Sequence, residues 1–178
     1  MINLKDRIIV QDNFFEKDVL NKIKIDLSHL NFTNRYNQHS NTIYQRIYFN
    51  VELNFNHFAV QEVIKNLKNH DIEVKNILPF YFLSTKHKEA TPHEDSLNNI
   101  NCLVYLKGKN FLNSGTGFYD KRDEKYELNS HIGFKENRAI IFDSDIYHSS
   151  LQFNKDCGPR YIMTNFINFK KYNDRKNS

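Results

Sequence analysis

The spacing of apolar residues divides the chain into two zones. Residues 1 to about 70 mix helix and strand signals, and residues from about 76 onward read as β. Arg7-Ile8-Ile9-Val10 predicts a short strand. Asp12-Asn13 and Phe14-Phe15 then lead into a helix from about Glu16 to Leu30, whose Val19, Leu20, Ile23 and Leu27 share one face. Ile43 to Val51 predicts a strand with Tyr44, Arg46 and Tyr48 on one side. A second helix is predicted over Phe58 to Leu67, with Val60, Val63, Ile64 and Leu67 along its apolar stripe.

Short β runs follow, with turn residues between them. Ile77–Leu83, Asn101–Leu106, Ala139–Phe142 and Tyr161–Phe169 are the clearest strands, and Ser114-Gly115-Thr116-Gly117 reads as a tight turn into Phe118-Tyr119. This spacing predicts a mainly β protein with N-terminal helices. The expected architecture is a double-stranded β-helix of the jelly-roll, cupin-like type. Its core is expected over about 76–170, in a single domain spanning 1–178.

Composition narrows the function classes. The 178 residues are 39% hydrophobic and 14% aromatic, with 15 Phe and 10 Tyr, which argues for a packed core rather than disorder. The net charge of +4 is a mild excess. Acids and bases alternate, as in Lys121-Arg122-Asp123-Glu124-Lys125, which argues against a nucleic-acid interface. Cys102 and Cys157 form no Cys-x-x-Cys pair and read as reduced thiols. No signal-peptide core or membrane-length apolar run is apparent, so the sequence reads as soluble and cytoplasmic, with no membrane partner.

Three segments carry candidate chemistry. The first is Thr91-Pro92-His93-Glu94-Asp95-Ser96. On a strand His93 and Asp95 would share a face, with Glu94 on the other. An imidazole and a carboxylate side by side suit iron, although a solvated polar loop reads the same way. The second is His148, just beyond the Ala139–Phe142 run. Two histidines and one carboxylate make the facial triad of non-haem Fe(II) oxygenases, which leaves three coordination positions open; the bland alternative is a surface loop histidine. The third is Arg160, which opens the final strand. A guanidinium there needs a partner. It could grip a carboxylate through two parallel hydrogen bonds, pair with a structural acid, or lie exposed.

In order and spacing these segments resemble the 2-oxoglutarate/Fe(II) dioxygenases, and within them the prolyl-hydroxylase-like branch. The resemblance rests on Pro92-His93-Glu94-Asp95, Cys102-Leu103-Val104-Tyr105-Leu106-Lys107, Ser114-Gly115-Thr116-Gly117-Phe118, Ile141-Phe142 through His148, and Arg160-Tyr161-Ile162-Met163-Thr164. It covers roughly residues 76–170, and Ile8 to Phe15 is similar to the family's opening strand and turn. It implies Fe(II) held by His93, Asp95 and His148, with 2-oxoglutarate as co-substrate anchored by Arg160. Tyr105 is implied to touch the far carboxylate, and Tyr81 to contact the co-substrate as well. The implied activity hydroxylates a C–H bond with dioxygen, coupled to decarboxylation of 2-oxoglutarate to succinate and CO2. The substrate would be a peptide, a protein or a small molecule. Two departures are visible: Ser114 stands for the first glycine of the usual Gly-Gly-Thr, and Ser84–Thr91 lacks the expected glycines.

Other residues have weaker claims. His87 is near the His93 segment, and Glu94 could replace Asp95 only by a register slip that would also turn His93 away. Arg35 to Arg46, with Tyr36, His39 and Tyr44, could form part of the active-site rim or a solvated loop. Two rival functions remain: a catalytically silent jelly-roll module that binds a metal or ligand, and an RNA- or DNA-acting oxygenase, which would need a basic rim. The triad together with Arg160 favours the enzyme.

Overall fold

A computed structural model describes residues 7–30, 33–34, 48–84, 91–152 and 159–169. The predicted strand before Tyr48, His87, Cys157 and the Arg35–Arg46 rim residues lie outside these. Strand β1 (Ile8–Asp12) is followed by helix α1 (Lys17–His29), strands β2 (Thr33–Asn34) and β3 (Tyr48–Glu52), and helix α2 (Phe58–Leu67). Then come β4 (Val74–Ser84), β5 (Ile100–Lys107), β6 (Phe111–Arg122), β7 (Lys125–Phe134), β8 (Arg138–Asp143), β9 (Tyr147–Gln152) and β10 (Arg160–Phe169). Among the described residues these strands form two antiparallel sheets. The larger has the order β1-β8-β5-β10-β4-β3-β2, and the smaller has the order β7-β6-β9.

Both helices lie where their apolar stripes predict. α1 buries Leu20, Ile23 and Leu27, and α2 buries Ala59, Val60, Val63 and Leu67. These side chains pack with Ile77, Tyr81, Cys102, Val104, Leu106, Ala139, Ile141 and Met163 on one face of the larger sheet. A second cluster of Tyr105, Phe118, Phe134, Ile140, Phe142 and Ile146 fills the space between the two sheets. The central strands β5 and β8 of the larger sheet therefore bury both faces, which is why β5 reads as a nearly continuous apolar run. No helix among the described residues is long and apolar enough to cross a membrane.

One local expectation is overturned. Ser114 to Gly117 is not a turn but the middle of β6, paired with β7 on one side and β9 on the other. Its glycines serve close approach: a Cβ on Gly115 would overlap the Ile132 carbonyl oxygen of the neighbouring strand, and one on Gly117 would press on Leu151. His148 is buried within β9, not a surface loop histidine.

Candidate metal centre

The segment bearing His93 and Asp95 is not a regular strand. It joins the smaller sheet by one antiparallel bridge, His93 to His148. The His93 N–H donates to the His148 carbonyl at 3.0 Å, and the His148 N–H donates back at 2.9 Å. The Asp95 N–H then donates to the Ser144 carbonyl at 2.8 Å, tying the segment to the β8–β9 connection. Two backbone contacts thus set the distance between residues far apart along the chain.

The side chains converge. One ligand atom from each of His93, Asp95 and His148 lies within 4.8 Å of the others. The imidazoles are 4.5 Å apart at their centroids, and His148 Nε2 is 3.3 Å from Asp95 Oδ2. His148 Nδ1 lies 3.0 Å from the Ile146 carbonyl, and His93 Nδ1 lies 3.2 Å from the Thr91 carbonyl. A carbonyl can only accept, so each Nδ1 donates, which leaves each Nε2 as the ring atom able to turn a lone pair to a metal. When both imidazoles are neutral, two lone pairs and a carboxylate face one another, and a cation between them removes the repulsion. The residues present therefore fit a divalent metal, and the donor set is one that suits Fe(II). Wherever the imidazoles carry a proton in place of a metal, burial pushes the Asp95 carboxyl up, but the hydrogen bond and charge of His148, the charge of His93 and the Asn101 amide together hold it below the usual carboxylate range.

Arg160 is fully buried on the same side of the larger sheet. Its Nη2 donates to Ser150 Oγ at 3.0 Å, and its Nη1 to the Leu151 carbonyl at 3.4 Å. Ser150 lies two residues past His148 on β9, hence on the same face of that strand. The guanidinium carbon lies 5.7 Å over the Phe134 ring, and Tyr105 stacks on Phe134 at 4.6 Å. The Tyr105 hydroxyl shares a 2.7 Å hydrogen bond with Thr116 Oγ1. Burial pushes its pKa up to about 12, against the opposing effects of the Thr116 bond and the Arg160 charge, so it stays a neutral phenol. Metal triad, guanidinium and phenol thus share the interior between the sheets.

Tyr81 does not join them. It points to the helix-facing side of the larger sheet, where its ring meets His57 at 5.9 Å and the Asp26 carboxylate lies beside its hydroxyl. The expected co-substrate contact from Tyr81 is not carried forward. The physical reason is strand parity: on β4 the alternate residues Leu78, Phe80 and Phe82 share the opposite face. Three polar residues of the interior escaped the sequence reading: Asn101, Thr116 and Ser150. Asn101 and Ser150 had a signal in the period of two, from Asn101 to Tyr105 on β5, and from His148 to Ser150 on β9. Beside Asp95 a cleft of about 430 Å³ opens, lined by Leu78, Leu97 and Phe166 among others.

Fold and centre together define a double-stranded β-helix with a His–Asp–His triad at the mouth of its interior. No protein-family model matches the sequence, and no curated protein matches it. Solved structures do. A prolyl-4-hydroxylase from Pseudomonas putida superposes with a TM-score of 0.63 at 12% identity, over 94% of this chain and 95% of that one. HygX from Streptomyces hygroscopicus, with nickel, 2-oxoglutarate and hygromycin B bound, gives 0.64 at 11% identity, over 90% and 82%. A prolyl hydroxylase from Trichoplax adhaerens, in complex with a hypoxia inducible factor peptide fragment, gives 0.58 at 14% identity, over 90% and 82%. The chain has the fold that these oxygenases share.

Proposed function

We propose that this chain is a non-haem Fe(II)/2-oxoglutarate-dependent dioxygenase that hydroxylates a C–H bond in the manner of the prolyl hydroxylases. The observation that carries the reading is the convergence of His93, Asp95 and His148 in the interior that also holds the fully buried Arg160. A silent metal module would have no use for a buried guanidinium in that space. Likeness in fold to proteins that bind 2-oxoglutarate with a metal supports the same assignment.

His93, Asp95 and His148 would hold the iron. Bound iron would supply the oxidative chemistry, coupling decarboxylation of 2-oxoglutarate to succinate and CO2 with hydroxylation of the substrate. The chain's own residues do the positioning. The Thr91 and Ile146 carbonyls fix both imidazoles with Nε2 inward. Arg160, oriented by Ser150, would grip the distal carboxylate of the co-substrate, and the neutral Tyr105 hydroxyl, shared with Thr116, would sit beside it. Phe118, Phe134 and Phe142 keep water from this space. The cleft beside Asp95 is where a substrate C–H bond could approach.

Anaerobic addition of Fe(II) and 2-oxoglutarate is expected to give a weak visible charge-transfer band at about 500 nm, from the facial triad with chelated co-substrate. Admission of dioxygen is expected to release succinate, and Asp95→Ala to abolish both signals. Peptides and small molecules scored for the gain of one oxygen would then sort the substrate class. No band and no succinate from a folded wild-type chain would favour the silent module.

A further inference from the structure

We propose that Asn101 is a positioning residue that restricts the Asp95 carboxylate to one oxygen donor toward the metal, keeping the adjacent coordination position open. The proposal rests on the metal-binding reading above and adds a residue to it.

Asn101 occupies the second position of β5, on the face turned toward the smaller sheet, and it is fully buried. Its Nδ2 donates to Asp95 Oδ2 at 2.7 Å. That is the same oxygen that lies 3.3 Å from His148 Nε2. Asn101 therefore holds the oxygen that faces His148, and the plane of the carboxylate is set by a strand rather than by the loop that carries it. Turning the carboxylate so that both oxygens face the triad's centre would break the Asn101 bond.

The number of oxygens matters for the chemistry. Two imidazoles and one carboxylate oxygen leave three positions, as many as a chelating co-substrate and dioxygen need. A carboxylate bound through both oxygens would consume one of them.

A second observation argues against a purely structural amide. The Asn101 Oδ1 is buried and has no hydrogen-bond partner among the described residues. An unmade bond in the core disfavours the folded state. An apolar side chain of equal size would fill the site without that penalty, so packing does not account for an asparagine here. Its one satisfied bond goes to the predicted ligand.

Asn101→Leu keeps the volume and removes the donor. Co(II) serves as the probe, titrated without co-substrate into wild type and variant and followed by its visible d–d bands, beside the thermal midpoint of each metal-free protein. The expected result is Co(II) affinity lower by about 10–100-fold, an altered band envelope, and a metal-free midpoint at or above that of wild type. If Asn101→Leu does not fold, the same measurements on Asn101→Ser decide. Unchanged affinity and spectrum in the variant would overturn the proposal and leave the metal site standing, as would a metal-free midpoint that falls along with the affinity. A wild-type chain that binds no Co(II) would overturn the metal centre itself, and this role with it.

Discussion

Asp95 and Arg160 occupy opposite ends of the proposed co-substrate path, and their removal should separate two functions. Arg160→Gln leaves the triad intact and deletes a buried cation, so metal binding should persist while 2-oxoglutarate affinity falls. Loss of one partner from a buried charge pair costs about 2–5 kcal/mol, and calorimetric titration of 2-oxoglutarate into the metal-loaded variant would measure it. Tyr105→Phe keeps the ring stacked on Phe134 and loses only the hydroxyl, so a smaller penalty of about 1 kcal/mol is expected in the same titration. The convergence of His93, Asp95 and His148 was legible in the sequence because metal ligation restricts residue type. Tyr81 lies on the helix-facing side of β4 because Phe80-Tyr81-Phe82 is an aromatic run on a strand that carries apolar residues on both faces. An aromatic run of that kind carries no mark of which side is which.

At the level of elements, period was informative wherever one face met the core. α2 matched its predicted limits of Phe58–Leu67, and α1 fell one residue inside each predicted end. β7 gave no such signal, since its residues from Lys125 to Asn129 are exposed. Ser114 to Gly117 gave a false one, because glycine marks close backbone approach as readily as a turn. That distinction can be tested. In a turn, Gly115→Ala would be tolerated; in β6 the new methyl meets the Ile132 carbonyl oxygen. Destabilisation of about 1–3 kcal/mol or more is expected in urea unfolding, with metal affinity falling too if the sheet shifts.

Across the whole molecule, the first strand is fastened to the start of β8 by charge. Asp12 lies 2.6 Å from Arg138 Nε and 2.7 Å from Lys135 Nζ. The Arg138 hydrogen bond, then that of Lys135, lowers its carboxyl from an ordinary 3.8 to about 2. A carboxyl depressed in the folded state adds stability that is full above the unfolded value and lost as pH falls through that window. The thermal midpoint of wild type should therefore drop more steeply between about pH 5 and pH 2 than that of Asp12→Asn. Cys102 is sealed beneath the helices with its thiol pushed up to about 12, so it should resist alkylation until the fold opens. The reciprocal bond pair between residues 93 and 148 has a consequence for how the protein would handle scarcity of the proposed metal. The two imidazoles are yoked through their own main chains, so an empty binding pocket would stay assembled, ready for capture without rearrangement. Deuterium uptake at those two amides should then be equally slow in the apo and loaded forms.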